Sequence, residues 1–202
     1  MTYAFFDFDG TITTGDSFMP FLRHQLGPGK FALKMLQLSP VLAAYGLKLM
    51  ANQRAKEKVL EATVKGQMEM EILRAAEEFF PQLKLLPAGL AKLKEEQAAG
   101  RRCVLVSASP ELFLRTWADK LGFQQVIATR LEIANGLLTG KLAGANCYGP
   151  EKVRRIEEEL GAGAWTDSCG YGDSRADLPM LRRCGQGFLR RGTEFTVLNN
   201  QV

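Results

Sequence analysis

The chain has a single histidine, His24, and its four cysteines are not spaced as metal ligands. No two of the cysteines form a C-x-x-C pair; they are Cys103, Cys147, Cys169 and Cys184. A metal site built from cysteines is therefore not indicated, and the pattern fits free thiols in a reducing compartment. We interpret His24 as an isolated surface or core histidine.

The sequence also predicts no secretory signal, no dense basic run and no membrane-spanning segment. MTYAFFDFDG has no basic region and no apolar region ahead of its acids, which predicts a cytoplasmic protein. The net charge of +4 and the pI of about 8.9 suit an anionic substrate or surface. No Lys/Arg cluster with interleaved aromatic residues is present, so nucleic-acid binding is not predicted.

The longest uncharged part of the N-terminal half, residues 35–47, is too short to cross a bilayer. Two interpretations stay open for it. It is a helix in the core of a helical domain, or it is a surface that contacts a membrane or an acyl chain. The second interpretation predicts peripheral contact with the inner membrane face.

The composition, 46% hydrophobic and 24% charged, is typical of a globular protein with a substantial core. The chain begins with an apolar strand over residues 3–8, and residues 17–80 have a helical pattern broken by Pro28, Pro40 and Pro81. After Pro87, strands and helices alternate, with a hairpin around Asn135-Gly136 and a last strand over residues 185–190.

This order predicts an α/β fold, a doubly wound Rossmann-like parallel sheet with a helical cap inserted after the first strand. We assign residues 1–14 and 86–202 to the core and residues 15–85 to the cap.

Polar and small residues lie at the carboxyl ends of three predicted core strands. They are Asp7, Asp9 and Gly10 at the first strand, Ser107, Ala108 and Ser109 at a second, and Asp173, Ser174 and Asp177 at a third; Lys152 opens a helix. Ligands bind beyond the carboxyl ends of such strands, so we expect these groups at one rim. Oxygen ligands with few nitrogens favour Mg²⁺, and we predict Asp7, Asp9 and Asp173 as its ligands.

Taken singly, several of these residues have structural explanations. Ser107 or Ser109 could cap the helix that follows Pro110, and Asp177 could cap a short helix. Lys152 alone would be an ordinary solvated lysine. The ordered set favours the functional interpretation.

DFDGT at residues 7–11, Ser107, Lys152 and GDSRAD at residues 172–177 resemble the four motifs of the haloacid dehalogenase superfamily. The resemblance covers nearly the whole chain, and the spacing is similar to that of the phosphoserine phosphatase branch. The stretch from TRLEIANGLLTGKL to CYGPEKV resembles a bacterial subgroup that includes phosphatidylglycerophosphatase C.

The resemblance implies a Mg²⁺-dependent phosphatase. It assigns the nucleophile to Asp7 and the general acid/base to Asp9, whose backbone carbonyl also contacts the metal. Phosphate binding falls to Ser107, Ala108, Lys152 and Gly10, metal binding includes Asp173, and Asp177 and Ser174 support the site. In the cap, Asp16 and Arg54 stand near the positions of the glutamate and arginine that grip phosphoserine in that branch.

Asp16 is one methylene shorter than that glutamate. The cap also contains the apolar stretch LQLSPVLAAYGL, which the recognition of serine would not require. We therefore expect a larger or more apolar phosphate monoester, with a lipid phosphate such as phosphatidylglycerophosphate as the leading candidate. The alternatives are phosphoserine or another small metabolite, transfer of the phosphoryl group to another acceptor, and a non-catalytic phosphate-binding regulator.

Overall fold

The computed structural model describes residues 2–198. A six-stranded sheet has the order β3-β2-β1-β6-β7-β8, and its first five strands are parallel. Its strands are β1 Tyr3–Phe6, β2 Arg102–Pro110, β3 Gln125–Thr129, β6 Cys169–Gly172, β7 Gln186–Arg191 and β8 Glu194–Val197. A separate antiparallel pair consists of β4 Leu131–Ala134 and β5 Leu137–Leu142. The predicted parallel α/β sheet is confirmed.

Five helices lie between β1 and the next core helix: α1 Phe18–Leu26, α2 Pro28–Gln37, α3 Ser39–Gly46, α4 Asn52–Thr63 and α5 Glu69–Phe79. The remaining helices are α6 Pro87–Ala98, α7 Glu111–Leu121, α8 Pro150–Leu160 and α9 Leu178–Arg183. Short 3₁₀ turns occupy Phe80–Gln82 and Ala162–Trp165. Pro28 and Pro40 stand in the first turns of α2 and α3, and Pro81 lies in a 3₁₀ turn, as the predicted breaks require. Among the helices of residues 2–198, none is long and apolar enough to cross a bilayer.

Alternating side chains of β1 enter two separate apolar clusters. Phe6 packs in the cluster that contains Trp117 of α7, and Phe5 packs in the cluster that contains Ile156 of α8 and Met180 of α9. Because a strand alternates its side chains between faces, both faces of the sheet are covered. This fixes β1 in the centre of the sheet and its carboxyl end at the middle of the rim.

Two contacts illustrate how the helical segment, residues 15–85, packs on the rest of the chain. Trp117 Nε1 on α7 donates a 2.8 Å hydrogen bond to the carbonyl of Ala76 on α5. The β4–β5 hairpin lies against α4, where a Cβ on Gly140 would come within 2.6 Å of Glu61 Cα. The hairpin therefore packs closely against the helical segment.

Two details of the sequence prediction were wrong. The first strand ends at Phe6 and not at Phe8: the Asp7 amide still donates to Tyr171 O at 2.9 Å, but the amides of residues 11–13 all turn to the Phe8 carbonyl. The strand β8 was missed. It is a largely exposed edge strand that pairs antiparallel with β7 after a turn at Gly192, and its alternation of polar and apolar residues, EFTV, extends over only four residues.

Candidate active site

Lys152 lies between two carboxylates at the rim of the sheet. Its Nζ donates hydrogen bonds of 2.6 Å to Oδ1 of Asp7 and to Oδ1 of Asp177, and the residue is only 1% exposed. Burial alone would lower the pKa of Lys152, but the two carboxylates outweigh it and raise that pKa, so the ammonium stays charged. The structural alternative of a solvated lysine is thereby excluded.

Asp177 is held by the turn that precedes it. Its Oδ2 accepts hydrogen bonds from the backbone amides of Asp173 and Ser174, at 3.2 and 3.0 Å, and from Ser174 Oγ at 2.8 Å. Burial would raise the pKa of Asp177, but Lys152 and Ser174 together lower it, so this carboxylate is ionised. Asp177 stands at the N-cap position of α9, yet its side chain forms no cap there, so it supports the turn instead.

Asp7, Asp173 and Asp177 each place an oxygen within 4.8 Å of the others. Burial raises the pKa of Asp7 despite Lys152, and burial and Asp177 raise the pKa of Asp173 despite Arg190. Carboxylates this close and this buried resist ionisation unless a cation compensates them. The cluster therefore suits a divalent cation with oxygen ligands. Of the predicted ligands, it contains the side chains of Asp7 and Asp173.

The Asp9 carboxylate lies outside that cluster and has its own partners. Its Oδ2 accepts a 2.6 Å hydrogen bond from Ser109 Oγ, and its Oδ1 accepts one of 2.7 Å from the Ser17 amide. Burial raises the pKa of Asp9, and the hydrogen bonds from Ser109 and Ser17 oppose this. Burial thus favours the protonated form of Asp9, which a proton donor requires.

Gly10 passes directly over Asp173. Its φ is +83°, and a Cβ built on it would lie 2.1 Å from Asp173 Oδ2. Only glycine fits this close approach in the left-handed backbone conformation.

Ser107 and Ala108 stand where the ladder between β2 and β3 becomes irregular, between Ser107 and Pro110. Ser107 Oγ accepts a 3.0 Å hydrogen bond from the Ser109 amide, and neither serine caps α7. The irregular end of β2 thus presents Ser107 and the Ala108 backbone at the rim, beside Ser109, which contacts Asp9.

The two cap residues proposed for substrate binding differ in their surroundings. Asp16 lines a groove of about 800 Å³ and accepts a 3.0 Å hydrogen bond from the Met19 amide at the start of α1. Arg54 is exposed on α4 and does not line that groove. The structure therefore brings Asp16, but not Arg54, to the groove.

Three contacts were not foreseen from the sequence. Ser109 and the Ser17 amide hold Asp9, and Lys56 of α4 donates to the Ala108 carbonyl at 2.6 Å. The serine pair at the end of β2 gave a weak indication of Ser109. No sequence pattern distinguishes Lys56 from the other lysines of the helical segment, because its role depends on tertiary packing.

Comparison with known proteins agrees with this geometry. Residues 4–182 match the family described as haloacid dehalogenase-like hydrolase. Protein CicA of Caulobacter vibrioides is 37% identical over 183 residues, which cover 87% of this chain and 80% of CicA.

Two solved structures share the fold. A protein of unknown function from Bordetella pertussis Tohama I has a TM-score of 0.77 and 26% identity, covering 90% of this chain and 87% of that one. A phospho-aspartyl intermediate analogue of phosphoserine phosphatase has a TM-score of 0.64 and 18% identity, covering 91% and 83%. The fold is thus that of the phosphoserine phosphatases, and the chain belongs to the haloacid dehalogenase-like hydrolase family of enzymes.

Proposed function

We propose that the protein is a Mg²⁺-dependent phosphatase that hydrolyses a phosphate monoester through a phosphorylated Asp7. The observation that carries this proposal is the Asp7 carboxylate, hydrogen-bonded to the buried cation Lys152 beside Asp173 and Asp177. Such a site supplies a nucleophile, a fixed positive charge and acidic oxygens for a metal within one pocket.

In the first step, an oxygen of Asp7 attacks phosphorus and the bond from phosphorus to the leaving oxygen breaks. Asp9 gives its proton to that oxygen. In the second step, Asp9 takes a proton from water, whose oxygen attacks the phosphorus and releases inorganic phosphate and Asp7. Lys152 compensates the charge of the phosphoryl group, and Ser107 with the backbone at Gly10 and Ala108 orients it.

Asp7 and Asp173, with the backbone carbonyl of Asp9, would hold Mg²⁺. The bound ion would neutralise phosphate charge and keep Asp7 ionised for attack. Asp177 and Ser174 fix the turn that carries Asp173. We assign residues 15–85 to a cap over this site and residues 1–14 and 86–202 to the core.

The chemistry is tested with Asp7→Asn, which cannot attack phosphorus and should lose turnover while remaining folded. A hydroxylamine-sensitive phosphate label should form on wild-type Asp7 and be absent from this variant. Asp119→Asn, an exposed acid on α7, is the matched control and should keep full activity. A phosphate label on Asp7→Asn together with turnover by this variant would refute the assignment of Asp7 as the nucleophile.

Metal dependence is tested separately. EDTA should abolish turnover, Mg²⁺ should restore it, and Ca²⁺ should bind and inhibit because its larger, looser shell lets Asp7 chelate through both oxygens. Full activity after dialysis against EDTA would end the Mg²⁺ assignment.

We further propose a lipid phosphate monoester, such as phosphatidylglycerophosphate, as the substrate. The groove of about 800 Å³ carries Asp16 and Ser17 at one part of its wall and Phe31 and Phe79 at another. Ser17 is also the residue whose amide holds Asp9, so the groove adjoins the reacting groups. A groove with aromatic walls suits an acyl portion better than serine.

The surface of α2 and α3 supports peripheral membrane contact. Neither helix has a fully buried residue, whereas Leu36, Leu47 and Leu49 are 71%, 71% and 78% exposed in and after these helices. Residues 17–55 contain no Asp or Glu and five basic residues: Arg23, Lys30, Lys34, Lys48 and Arg54. Exposed leucines among uncompensated cations match an anionic bilayer surface.

The substrate proposal is tested by comparing kcat/KM for phosphoserine with kcat/KM for the lipid phosphate in anionic vesicles. Leu36→Glu should reduce the vesicle value by about tenfold or more, since burying a leucine is worth roughly 1.5–3 kcal/mol. Val197→Glu, on β8, is an equally disruptive exposed change away from this surface and should have no effect.

A tenfold preference for phosphoserine, or a folded Leu36→Glu with unchanged vesicle activity, would contradict the lipid proposal. Phosphoserine or a small metabolite would then be the substrate. Transfer to an added alcohol in place of water would indicate a phosphotransferase, and phosphate binding without turnover would indicate a regulator.

A further inference from the structure

Lys56 is a cation of the helical segment whose ammonium contacts the core. On α4, its Nζ donates hydrogen bonds of 2.6 Å to the Ala108 carbonyl and of 2.8 Å to Asn146 Oδ1. Burial lowers the pKa of Lys56 to about 8, although Asp9 and Asp16 oppose this lowering. A long, flexible side chain is thus held at a defined place between α4 and the rim.

The Ala108 carbonyl is available to Lys56 because β2 is irregular at this point. The pairing of β2 with β3 shifts register between Ser107 and Pro110, so Ala108 lies outside the regular ladder. This carbonyl is half-buried and has no ladder partner, so another donor stabilises it. Lys56 supplies this hydrogen bond and thereby fixes the irregular end of β2 between Ser107 and Pro110.

The irregular end of β2 also positions the proposed acid. Ser109, the residue after Ala108, donates its hydroxyl proton to Asp9 Oδ2 at 2.6 Å, and its amide donates to Ser107 Oγ at 3.0 Å. A rotation of the Ala108 peptide would displace Ser109 and its hydrogen bond to Asp9. Lys56 is therefore connected to Asp9 by its hydrogen bond to Ala108, by the peptide bond from Ala108 to Ser109, and by the hydrogen bond from Ser109 to Asp9.

The second acceptor, Asn146, strengthens this connection. Its Oδ1 also accepts a 2.8 Å hydrogen bond from Thr129 Oγ1, and its Nδ2 donates to Asn52 Oδ1 at 2.7 Å. Its backbone amide donates to Gln53 Oε1 at 3.3 Å. The start of α4 is thus joined to the core through the same asparagine that binds Lys56.

We propose that Lys56 is a positioning residue for Asp9, acting through the Ala108 carbonyl and Ser109. The inference rests on the proposed phospho-aspartyl reaction. Lys56 itself transfers no proton and touches no reacting atom. Its contribution is confined to the steps in which Asp9 moves a proton.

This role makes a prediction about leaving groups. An alkyl alkoxide must be protonated as its bond to phosphorus breaks, whereas p-nitrophenolate leaves without a proton. The ratio kcat/KM covers only the steps up to leaving-group release. Lys56→Met should therefore lower kcat/KM for an alkyl phosphate at least about tenfold more than kcat/KM for p-nitrophenyl phosphate, within the span of general acid catalysis.

Three further single variants and one double variant make the result decisive. Lys58→Met, two residues along α4 at an exposed ion pair with Glu61, should leave both values unchanged. Lys56→Arg keeps the donor and should recover part of the alkyl phosphate activity. Ser109→Ala should show the same leaving-group dependence as Lys56→Met, and the double variant should be no worse than the worse single one.

Equal losses for the two substrates in Lys56→Met, or no loss, would refute the role of Lys56. If Lys56→Met does not fold, Lys56→Arg and Ser109→Ala carry the test, and equal losses in both would refute it likewise. Asp9→Asn is the reference for the proposed function: if it shows no leaving-group dependence, Asp9 is not the acid and this inference falls with it.

Discussion

Lys152 donates a hydrogen bond of 2.6 Å to Oδ1 of Asp7, although the two residues lie 145 positions apart. The bond joins the start of α8 to the end of β1, and both groups are buried. Removing one partner of a buried ion pair destabilises the fold strongly, because the remaining charge is left in the interior without compensation.

Replacing Lys152 by Met should lower the free energy of unfolding by roughly 3–5 kcal/mol, since Asp7 and Asp177 would lose their shared cation. Urea denaturation in EDTA at neutral pH measures the difference. Lys92→Met, which removes an exposed pair with Glu95, is the control and should cost no more than about 1 kcal/mol.

The loss should also depend on pH. Lys152 lowers the pKa of Asp177, so its stabilising effect is present above the unfolded pKa of an aspartate and is lost as the pH falls through the lower folded value. The two proteins should therefore converge in acid. Two results would contradict a stabilising ion pair at Lys152. One is a difference in unfolding free energy that stays constant down to strongly acidic pH, and the other is a loss as small as that of Lys92→Met.

The sequence allowed the rim of the site to be predicted because topology alone determines it. Once the strands ending at Asp7, Ser107 and Asp173 are taken as parallel neighbours, their carboxyl ends must meet at one edge. The contact of Lys152 with Asp7 follows from the same rule, because α8 begins at that edge.

The contacts made by the helical segment could not be predicted in this way. Lys56 reaches Ala108 because α4 packs beside the rim and because β2 becomes irregular there. Neither condition leaves a periodic pattern in the sequence. Arg54, only two residues earlier and with the longer reach, is exposed instead.

The four cysteines should be inert in the folded protein. All four are buried, and burial raises their pKa to about 12 for Cys103, 11 for Cys147, 11 for Cys169 and 12 for Cys184. The thiolate is the reactive form, so at pH 8 only a very small fraction can react. Ellman's reagent should titrate four thiols in denaturant and essentially none in the native state. Ser39→Cys, at an exposed position of α3, is the positive control; rapid native labelling of the unchanged protein would show that the packing around the thiols opens.

Turnover of an alkyl phosphate should decline as the pH rises above 8. Burial lowers the pKa of Lys56 to about 8; Asp9, Cys147 and Asp16 raise it, and Lys152 lowers it. Above that pH the ammonium becomes neutral, its hydrogen bond to Ala108 weakens, and Asp9 is held less firmly. Lys56→Arg, which stays charged, should move this decline in kcat/KM to higher pH. An identical profile in wild type and Lys56→Arg would assign the decline to another group.

Adding one methyl group at Gly10 should weaken metal binding. A Cβ at this position would lie 2.1 Å from Asp173 Oδ2, and the φ of +83° disfavours any side chain, so Gly10→Ala must displace either the Asp173 carboxylate or the turn. We expect the Mg²⁺ concentration for half-maximal activation to rise by about tenfold or more, as is typical when support for a metal ligand is disturbed. Gly15→Ala, where a Cβ would meet nothing within 4 Å, is the matched control and should retain the wild-type Mg²⁺ dependence. Activation of Gly10→Ala at the wild-type Mg²⁺ concentration would show that Asp173 is not a metal ligand in the position described. The close approach of Gly10 to Asp173 would then serve the folding of the turn.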